Sequence, residues 1–424
     1  MSAAVYTNAD NDDDDQPTTT TTMTALAATH FGPPRDCLTF HHHLPMPTTL
    51  SPTQLLIRVD CTDVNPVDVQ KLQQQQPDGT AIPAHRSPLI VGFGGCGRIV
   101  QVGADVPPSD KDHDFAKGRR VVFLCDASRN GSYATHVAVD WRLVCTVPTT
   151  TTTDLPDDDM EEEDEQFLAQ LASIPVAGCT AMEALEKVGL PILNNNNNND
   201  NSNHNNDSTP QTLLIVGGAG GVGSWATVLA RAAYPHLRIV HTASTPDDTL
   251  TKRWCLETLG ANQVIAHDQI DTALPNAGRV GSVDAVVCLS EPHALLWNRI
   301  VNILRPFAQV CLVVAGDAIR SLDLSFCFFK SAAVHTKTVF SHARAGFPHG
   351  DRQGRQLRHV VDALCRGQIR APLNPHWEQV VGSRDWTQVL SSSSSQDEAG
   401  GVTVLDQIAS GHTMGKLVMK ITSS

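Results

Sequence analysis

The stretch LLIVGGAGGVGSWATVLARA, from Leu213 to Ala232, constrains the fold of this chain more than any other. Its apolar start (Leu213 to Val216) predicts a buried strand, a cluster of glycines follows, and WATVLARAAY carries a helical pattern. Gly218, Gly220 and Gly223 match the spacing G-x-G-x-x-G, here in the strand–turn–helix context that gives the spacing meaning. Glycines let backbone amides approach a pyrophosphate, and the helix start offers unpaired N–H groups and the positive end of its dipole. Gly218, Ala219, Gly220, Gly221, Val222 and Gly223 are therefore the candidate dinucleotide cradle. A tight strand-to-helix turn with no ligand is the alternative.

The texture on either side of this stretch divides the chain. From Met23 to Val147 short apolar runs such as QLLIRVDCTDV and RRVVFLC alternate with turn residues, which predicts a mostly β domain. From about Ile174 to Ala315 helical stretches alternate with the apolar strands TLLIVGG, RIVHTAS, QVIAHD, DAVVCLS and AQVCLVV. That alternation predicts a doubly wound parallel sheet of the α/β class. After Phe340 come a helix (GRQLRHVVDALCRGQI) and a closing strand (GKLVMKI) suited to returning to the first domain.

Low-complexity tracts (Thr18 to Thr22, Gln73 to Gln76, Thr149 to Thr153, Asn194 to Asn199, Ser391 to Ser395) punctuate the chain and read as loops or linkers. The expected division is a disordered tail over 1–22 and a catalytic domain over 23–175 with an insert at 149–166. A nucleotide-binding domain over 176–339 has an insert at 194–210, and a returning segment covers 340–424.

Charge and cysteine use exclude several classes. The net charge of −14 comes largely from Asp10, Asp12 to Asp15 and the run Asp154 to Glu165, which supply fourteen acidic residues and read as solvated linker. No basic patch points to nucleic acid. The eleven cysteines are odd in number, contain no C-x-x-C pair and sit in apolar contexts, the pattern of reduced thiols. No apolar run reaches the length of a membrane span, and the acidic, Thr-rich start is unlike a secretory or transit signal. A cytoplasmic protein with no membrane partner is the expectation.

The end of the second nucleotide-domain strand bears on the cofactor. A carboxylate there would bind a ribose 2′-hydroxyl and repel a 2′-phosphate. RIVHTAS ends His241, Thr242, Ala243, Ser244, with no carboxylate until Asp247. Ser244 can hydrogen-bond a phosphate, and Arg253 or Lys252 can neutralise it, so NADP(H) is favoured over NAD(H). The alternative is that Lys252 and Arg253 are ordinary exposed helix residues.

DVNPVD (Asp63 to Asp68), GSYATHVAVD (Gly131 to Asp140), IPVAGCTAMEAL (Ile174 to Leu185), GGAGGVGS and GKLVMKI occur in this order. Together they resemble the medium-chain dehydrogenase/reductase superfamily in its quinone-oxidoreductase branch. FFKSAAVHTKTVF and SRNGSYA further resemble the group called zinc-type alcohol dehydrogenase-like. The resemblance spans Met23 to Ile421 apart from the low-complexity tracts. It implies a GroES-like catalytic domain beside a Rossmann domain, with the cofactor in the cleft between them, and a homodimer through the cofactor domain is common among such proteins.

By the same resemblance, the catalytic zinc ligands of related alcohol dehydrogenases fall here at Asn65, Phe93 and about Val176, none of which suits zinc. The loop of four cysteines that holds a structural zinc is missing, and His41 to His43 read as an edge-strand feature. No functional metal is expected. A reductase without a Lewis acid needs an acceptor that is already electrophilic, which points to a small-molecule quinone or α,β-unsaturated carbonyl.

The resemblance places Asn65 near the nicotinamide, where its amide can donate to a substrate oxygen; a turn residue before Pro66 is the other reading. Asp68 either orients neighbouring groups or caps a helix, and Thr180 either borders the cofactor or is a helix N-cap. Lys330 falls in a loop bordering the nicotinamide, and Lys416 in a C-terminal Gly-Lys near the cofactor. Val69, Gln70 and Lys71 stand where some quinone reductases carry a Tyr, and Gly94 replaces a common acidic residue, so solvent or a bound water is expected to supply the proton. The reading is a zinc-independent, NADPH-dependent reductase. Its rivals are an enoyl reductase of a biosynthetic pathway and an NADPH-binding scaffold with weak or no turnover.

Overall fold

The computed structural model describes residues 22–73, 82–83, 87–108, 114–148, 162–193, 210–274, 281–314, 316–390 and 403–422. The tail 1–21 and most of every low-complexity tract lie outside these residues.

The first half is built on one long strand. β1 (Thr22–Ala28), β2 (Leu38–Pro45), β3 (Gln54–Val64), β4 (Leu89–Ile90), β5 (Gly94–Val102), β6 (Arg120–Leu124), β7 (His136–Asp140) and β8 (Val144–Thr146) form two antiparallel sheets. The smaller has the order β2-β1-β4, with His41 to His43 on its edge strand. In the larger, β3 pairs with β5 on one side and with β7 on the other over residues 54–58. The second half of β3 takes β15 (Leu417–Lys420), so Val64 lies opposite Leu417. The closing strand does return to the first domain, as its apolar pattern implies. A short helix α1 (Pro66–Leu72) follows β3 directly, started by Pro66, whose missing N–H costs nothing at a first helical position.

The second sheet is parallel throughout. β9 (Thr212–Val216), β10 (Arg238–Ala243), β11 (Gln263–Ala266), β12 (Val283–Cys288), β13 (Leu304–Leu312) and β14 (Ala333–Thr336) have the spatial order β11-β10-β9-β12-β13-β14. Counted within the sheet this is 3-2-1-4-5-6, the Rossmann order, whose strand order reverses beside β9. Leu213 and Ile215 face one core cluster, Leu214 and Val216 the other. Burial on both faces explains why this segment is continuously apolar instead of alternating.

Between the sheets run α2 (Glu162–Ala172) and α3 (Pro175–Lys187), the latter buried along eleven consecutive residues from Pro175 to Leu185. α4 (Gly221–Ala233) packs against α3 and sends Trp225 into the junction, where the fully buried indole N–H donates to Ser173 O at 3.0 Å. The expectation of a solvated linker through Glu165 needs correction at its end. Glu162 to Glu165 already belong to α2, and the Glu165 carboxylate meets Arg384 at 2.8 Å and Lys420 as well. Cationic partners elsewhere in the chain recruit the last acidic residues into structure.

Trp225→Phe keeps most of the apolar contact but leaves Ser173 O without its donor. It is expected to cost about 1–3 kcal/mol of stability, measured by chemical denaturation.

Candidate active site

The glycine turn between β9 and α4 is shaped from beneath by a histidine. His241, on β10, is fully buried, and a Cβ at Gly218 would overlap its ring. Its Nε2 meets Thr227 Oγ1 at 2.6 Å, and burial pushes its pKa down to about 3, so the ring is neutral. The next residue supports the turn as well, Thr242 Oγ1 accepting from Gly217 N at 3.1 Å and pairing with His267 Nδ1 at 2.7 Å. Gly223 allows the helix to approach: a Cβ there would lie 2.7 Å from Gly217 O and from Gly218. α4 then begins at Gly221 with no side chain capping its first turn. Its leading amides face a cleft of about 490 Å³ at the carboxyl ends of β9 and β10.

The cleft is roofed by the segment that leads into β15. Gly415, at φ +63°, donates its N–H to Ala219 O at 2.9 Å, which ties this segment to the glycine turn. Asn374 holds the same segment from the other side through Met414 O and Lys416 O, each at 2.8 Å. The Lys416 stem then runs past Gly221, where a Cβ would come within 2.7 Å of Lys416 Cδ.

At the other end of the cleft lies a buried polar cluster. Lys416 Nζ donates to Asn65 Oδ1 at 2.6 Å and to Val64 O at 3.0 Å, and stands 3.7 Å from Asp63 Oδ2. Burial pushes the lysine pKa down, opposed by Asp63 and Asp68; burial likewise raises that of Asp63, opposed by Lys416. Asp68 Oδ2 accepts from Asn65 N at 2.7 Å and from Tyr133 OH at 3.0 Å. Burial, with the Asp63 charge nearby, raises the Asp68 pKa to about 7. Asn65 Nδ2 meets no acceptor at hydrogen-bonding geometry, and Asn65 lines the cleft. The Asn65 side chain also favours the charged form of the Asp63 carboxyl, so asparagine, aspartate and lysine form one buried cluster at this end of the cleft.

These positions sort the expected residues. Ala219, Gly220, Gly221, Val222, Gly223, Ser244, Asn65 and Lys416 line the cleft, while Gly218 supports it from below. Asp68 is one layer deeper. Lys330 requires correction: its Nζ donates to Val301 O, Asn302 O and Leu304 O at 2.8–3.0 Å. It satisfies carbonyls at the end of the helix Ala294–Ile303 and does not line the cleft. Thr180 is neither an N-cap nor a cleft residue. It sits inside α3 with its hydroxyl on Val176 O at 2.6 Å, while Ala177 of that helix lines the cleft. Arg253 points outward, 3.7 Å from Glu257, and Lys252 is 3.0 Å from Asp247. Neither cation lines the cleft.

Asp63, Tyr133 and His241 were missed as members of the site. The signal for Asp63 was its place at the head of DVNPVD, and for His241 a histidine inside an otherwise apolar strand. Phe93 packs edge-on against Phe340 with ring centroids 5.3 Å apart, and Val176 is buried beneath Asp63. Among the described residues no three His, Cys, Asp or Glu side chains gather as a metal site.

Residues 51–149 match the alcohol dehydrogenase GroES-like domain. The zinc-type alcohol dehydrogenase-like protein of Staphylococcus epidermidis is 25% identical over 383 residues, 90% of this chain and 94% of that protein. The quinone oxidoreductase from Coxiella burnetii superposes with a TM-score of 0.61 at 20% identity, over 94% of this chain and 99% of that one. A mycobacterial protein complexed with NADPH gives a TM-score of 0.64 at 21% identity, over 94% of this chain and 100% of the other. The chain thus carries an alcohol dehydrogenase GroES-like domain, is similar over most of its length to a zinc-type alcohol dehydrogenase-like protein, and shares the fold of a quinone oxidoreductase. The glycine turn and the cleft at the carboxyl ends of β9 and β10 have the geometry of a dinucleotide site. Among the described residues no single helix is long and apolar enough to cross a membrane.

The Asp68 carboxyl has a sign to check. Its folded pKa of about 7 lies above the ordinary carboxylate value, so the folded state holds the proton more tightly. Stability from this group is fully present below about pH 4 and is lost as pH rises toward 7. Asp68→Asn is expected to flatten the fall in Tm between about pH 4 and 7, read by thermal melts across that range.

Proposed function

We propose that this protein is a zinc-independent reductase that transfers hydride to a quinone or an α,β-unsaturated carbonyl, with NADPH preferred. The observation that carries the reading is the reactive end of the cleft. There the positions that the resemblance to zinc alcohol dehydrogenases assigns to catalytic zinc are Asn65, Phe93 and Val176, none of which suits zinc. With no ligand set for a Lewis acid, the acceptor must itself be electrophilic. A conjugated carbonyl meets that need, since hydride added at its far carbon leaves a negative charge on oxygen that one hydrogen bond can stabilise. The overall step consumes one dinucleotide, one acceptor and one proton from solvent, and yields the oxidised cofactor and the reduced acceptor.

The preference for NADPH rests on the other end of the cleft. No carboxylate ends β10, and Ser244 and Thr245 line the cleft. Lys252 and Arg253 are held only by Asp247 and Glu257, which are themselves largely exposed. Exposed pairs of this kind contribute little, so a phosphate dianion competes well for both cations. The NADPH complex of a mycobacterial relative of the same fold supports this reading.

The test is oxidation of NADPH, in parallel with NADH, by quinones and enones on chelator-treated protein. Turnover that prefers NADPH by tenfold or more in kcat/KM and survives chelation is the expected result. Dinucleotide binding with no oxidation of any acceptor would instead identify a scaffold.

We further propose a homodimer across β14, which ends the parallel sheet, in a cytoplasmic setting that keeps the buried thiols reduced. Phe307, Phe328 and Phe329 are 74–83% exposed near that edge, an unusual concentration of apolar surface. Wild-type protein is expected to sediment as a dimer and the double substitution Phe328→Asp, Phe329→Asp as a monomer.

A further inference from the structure

We propose that His267 reads the base of the cofactor: its imidazole, set by Thr242 in the tautomer with hydrogen on Nε2, donates to a ring nitrogen of a purine. The inference rests on the dinucleotide reading above and concerns the half of the cofactor that takes no part in hydride transfer.

The tautomer follows from the partners of one hydroxyl. Thr242 is fully buried near the end of β10, and its Oγ1 has two neighbours, Gly217 N at 3.1 Å and His267 Nδ1 at 2.7 Å. A hydroxyl has one hydrogen to give and lone pairs to accept with. Gly217 N can only donate, so among the described residues Nδ1 is the one partner left for the hydroxyl hydrogen. A neutral imidazole that accepts at Nδ1 carries its own hydrogen at Nε2. Burial pushes the His267 pKa down, opposed by Asp268 and aided by His293, which keeps the ring neutral at ordinary pH.

The donor so defined is open to a ligand. His267 follows β11 directly and lines the cleft with Thr242 and Ala243 of β10. Its ring is only partly buried, and Nε2 has no acceptor among the described residues and is not sealed from solvent. Leu250, half-exposed, lines the same cleft and offers apolar surface for the face of a flat ring. The other nitrogen-bearing side chains of the lining, Asn65, His412 and Lys416, come from the residue after β3 and from the roof. In a sheet of this order the glycine turn after the first strand takes the pyrophosphate, and the end of the second takes the ribose. The base is the next group along the dinucleotide, and β11 is the next strand along the sheet. A purine ring nitrogen accepts and has no hydrogen of its own, which suits a neutral Nε2–H.

The experiment measures NADPH and NADH binding by nicotinamide fluorescence on wild type and His267→Phe. It then displaces NADPH with AMP and with its 1-deaza, 3-deaza and 7-deaza analogues, each of which replaces one ring nitrogen by C–H. His267→Phe is expected to weaken NADPH and NADH alike, about five- to tenfold in Kd. On wild type one of the three analogues should bind about five- to tenfold more weakly than AMP, whereas on His267→Phe all four should bind alike. The series on wild type keeps the test open if His267→Phe folds poorly, since three analogues as tight as AMP would overturn the proposal. A loss confined to NADPH would make His267 a ligand of the 2′-phosphate and overturn it too, as would a variant that still distinguishes the analogues as wild type does. If wild type binds neither NADPH nor NADH, the dinucleotide reading itself fails and the inference falls with it. If wild type binds them and the analogue series is flat, only the inference fails.

Discussion

Residues 415–420 are hydrogen-bonded to both halves of the molecule, and the geometry of the cleft follows from that. Gly415 is tied to Ala219 in the glycine turn, and two residues later Leu417 enters the sheet beside Val64. With so few residues between these attachments, the chain can span only a short distance. The phosphate cradle and the residue preceding Asn65 are therefore held in a set relation by covalent structure. Lys416 lies between the two attachments, and its side chain has nowhere to go except through the gap at Gly221 toward Asn65. The positive φ of Gly415 sends the chain on this course, and an L-residue there would be strained.

One cation and two buried carboxyl groups cannot all be charged at low cost in so dry a place. The hydrogen bonds show how the conflict is divided. Asp63 is next to Lys416 and has the counter-charge, whereas Asp68 has only neutral donors, Asn65 N and Tyr133 OH. Burial, reinforced by the Asp63 charge, raises the Asp68 pKa to about 7, and burial raises that of Asp63 as well, opposed by Lys416. An ion pair in this setting is weak evidence of stabilisation, because desolvation offsets most of the attraction. What the lysine does fix is the Asn65 side chain, whose Oδ1 accepts from its Nζ.

The parts that could be read from the sequence were those governed by local pattern. The continuous apolar run at Leu213 to Val216 and the glycines after it announce a buried strand and a cradle, because both properties reside within a few consecutive residues. The alternation of strands and helices likewise carries the parallel sheet, and the pattern GKLVMKI carries the returning strand. Lys330 shows where this stops. Its neighbours in sequence suggested a loop beside the nicotinamide, but its Nζ reaches carbonyls at 301–304, a tertiary choice invisible in local spacing. Thr180 fails for a related reason: the helix begins five residues before it, at Pro175, so the hydroxyl falls on the preceding turn. Asp63 was hidden because its partner is 353 positions away, and only the pairing of β15 with β3 brings Lys416 to it.

The end of the cleft beside β10 is ordered by a different compromise. A carboxylate does reach the lining there, but it is Asp248, five residues beyond the end of β10, and its Oδ2 caps the short helix Thr249–Lys252 by accepting from Thr251 N at 2.8 Å. A capping carboxylate spends one oxygen on the helix and sits at the positive end of its dipole, which reduces its repulsion of a nearby anion. The two cations that follow it in sequence lie beyond the capped turn with exposed partners. This end of the cleft thus has a helix-capping carboxylate in its lining and two cations with exposed partners just outside it.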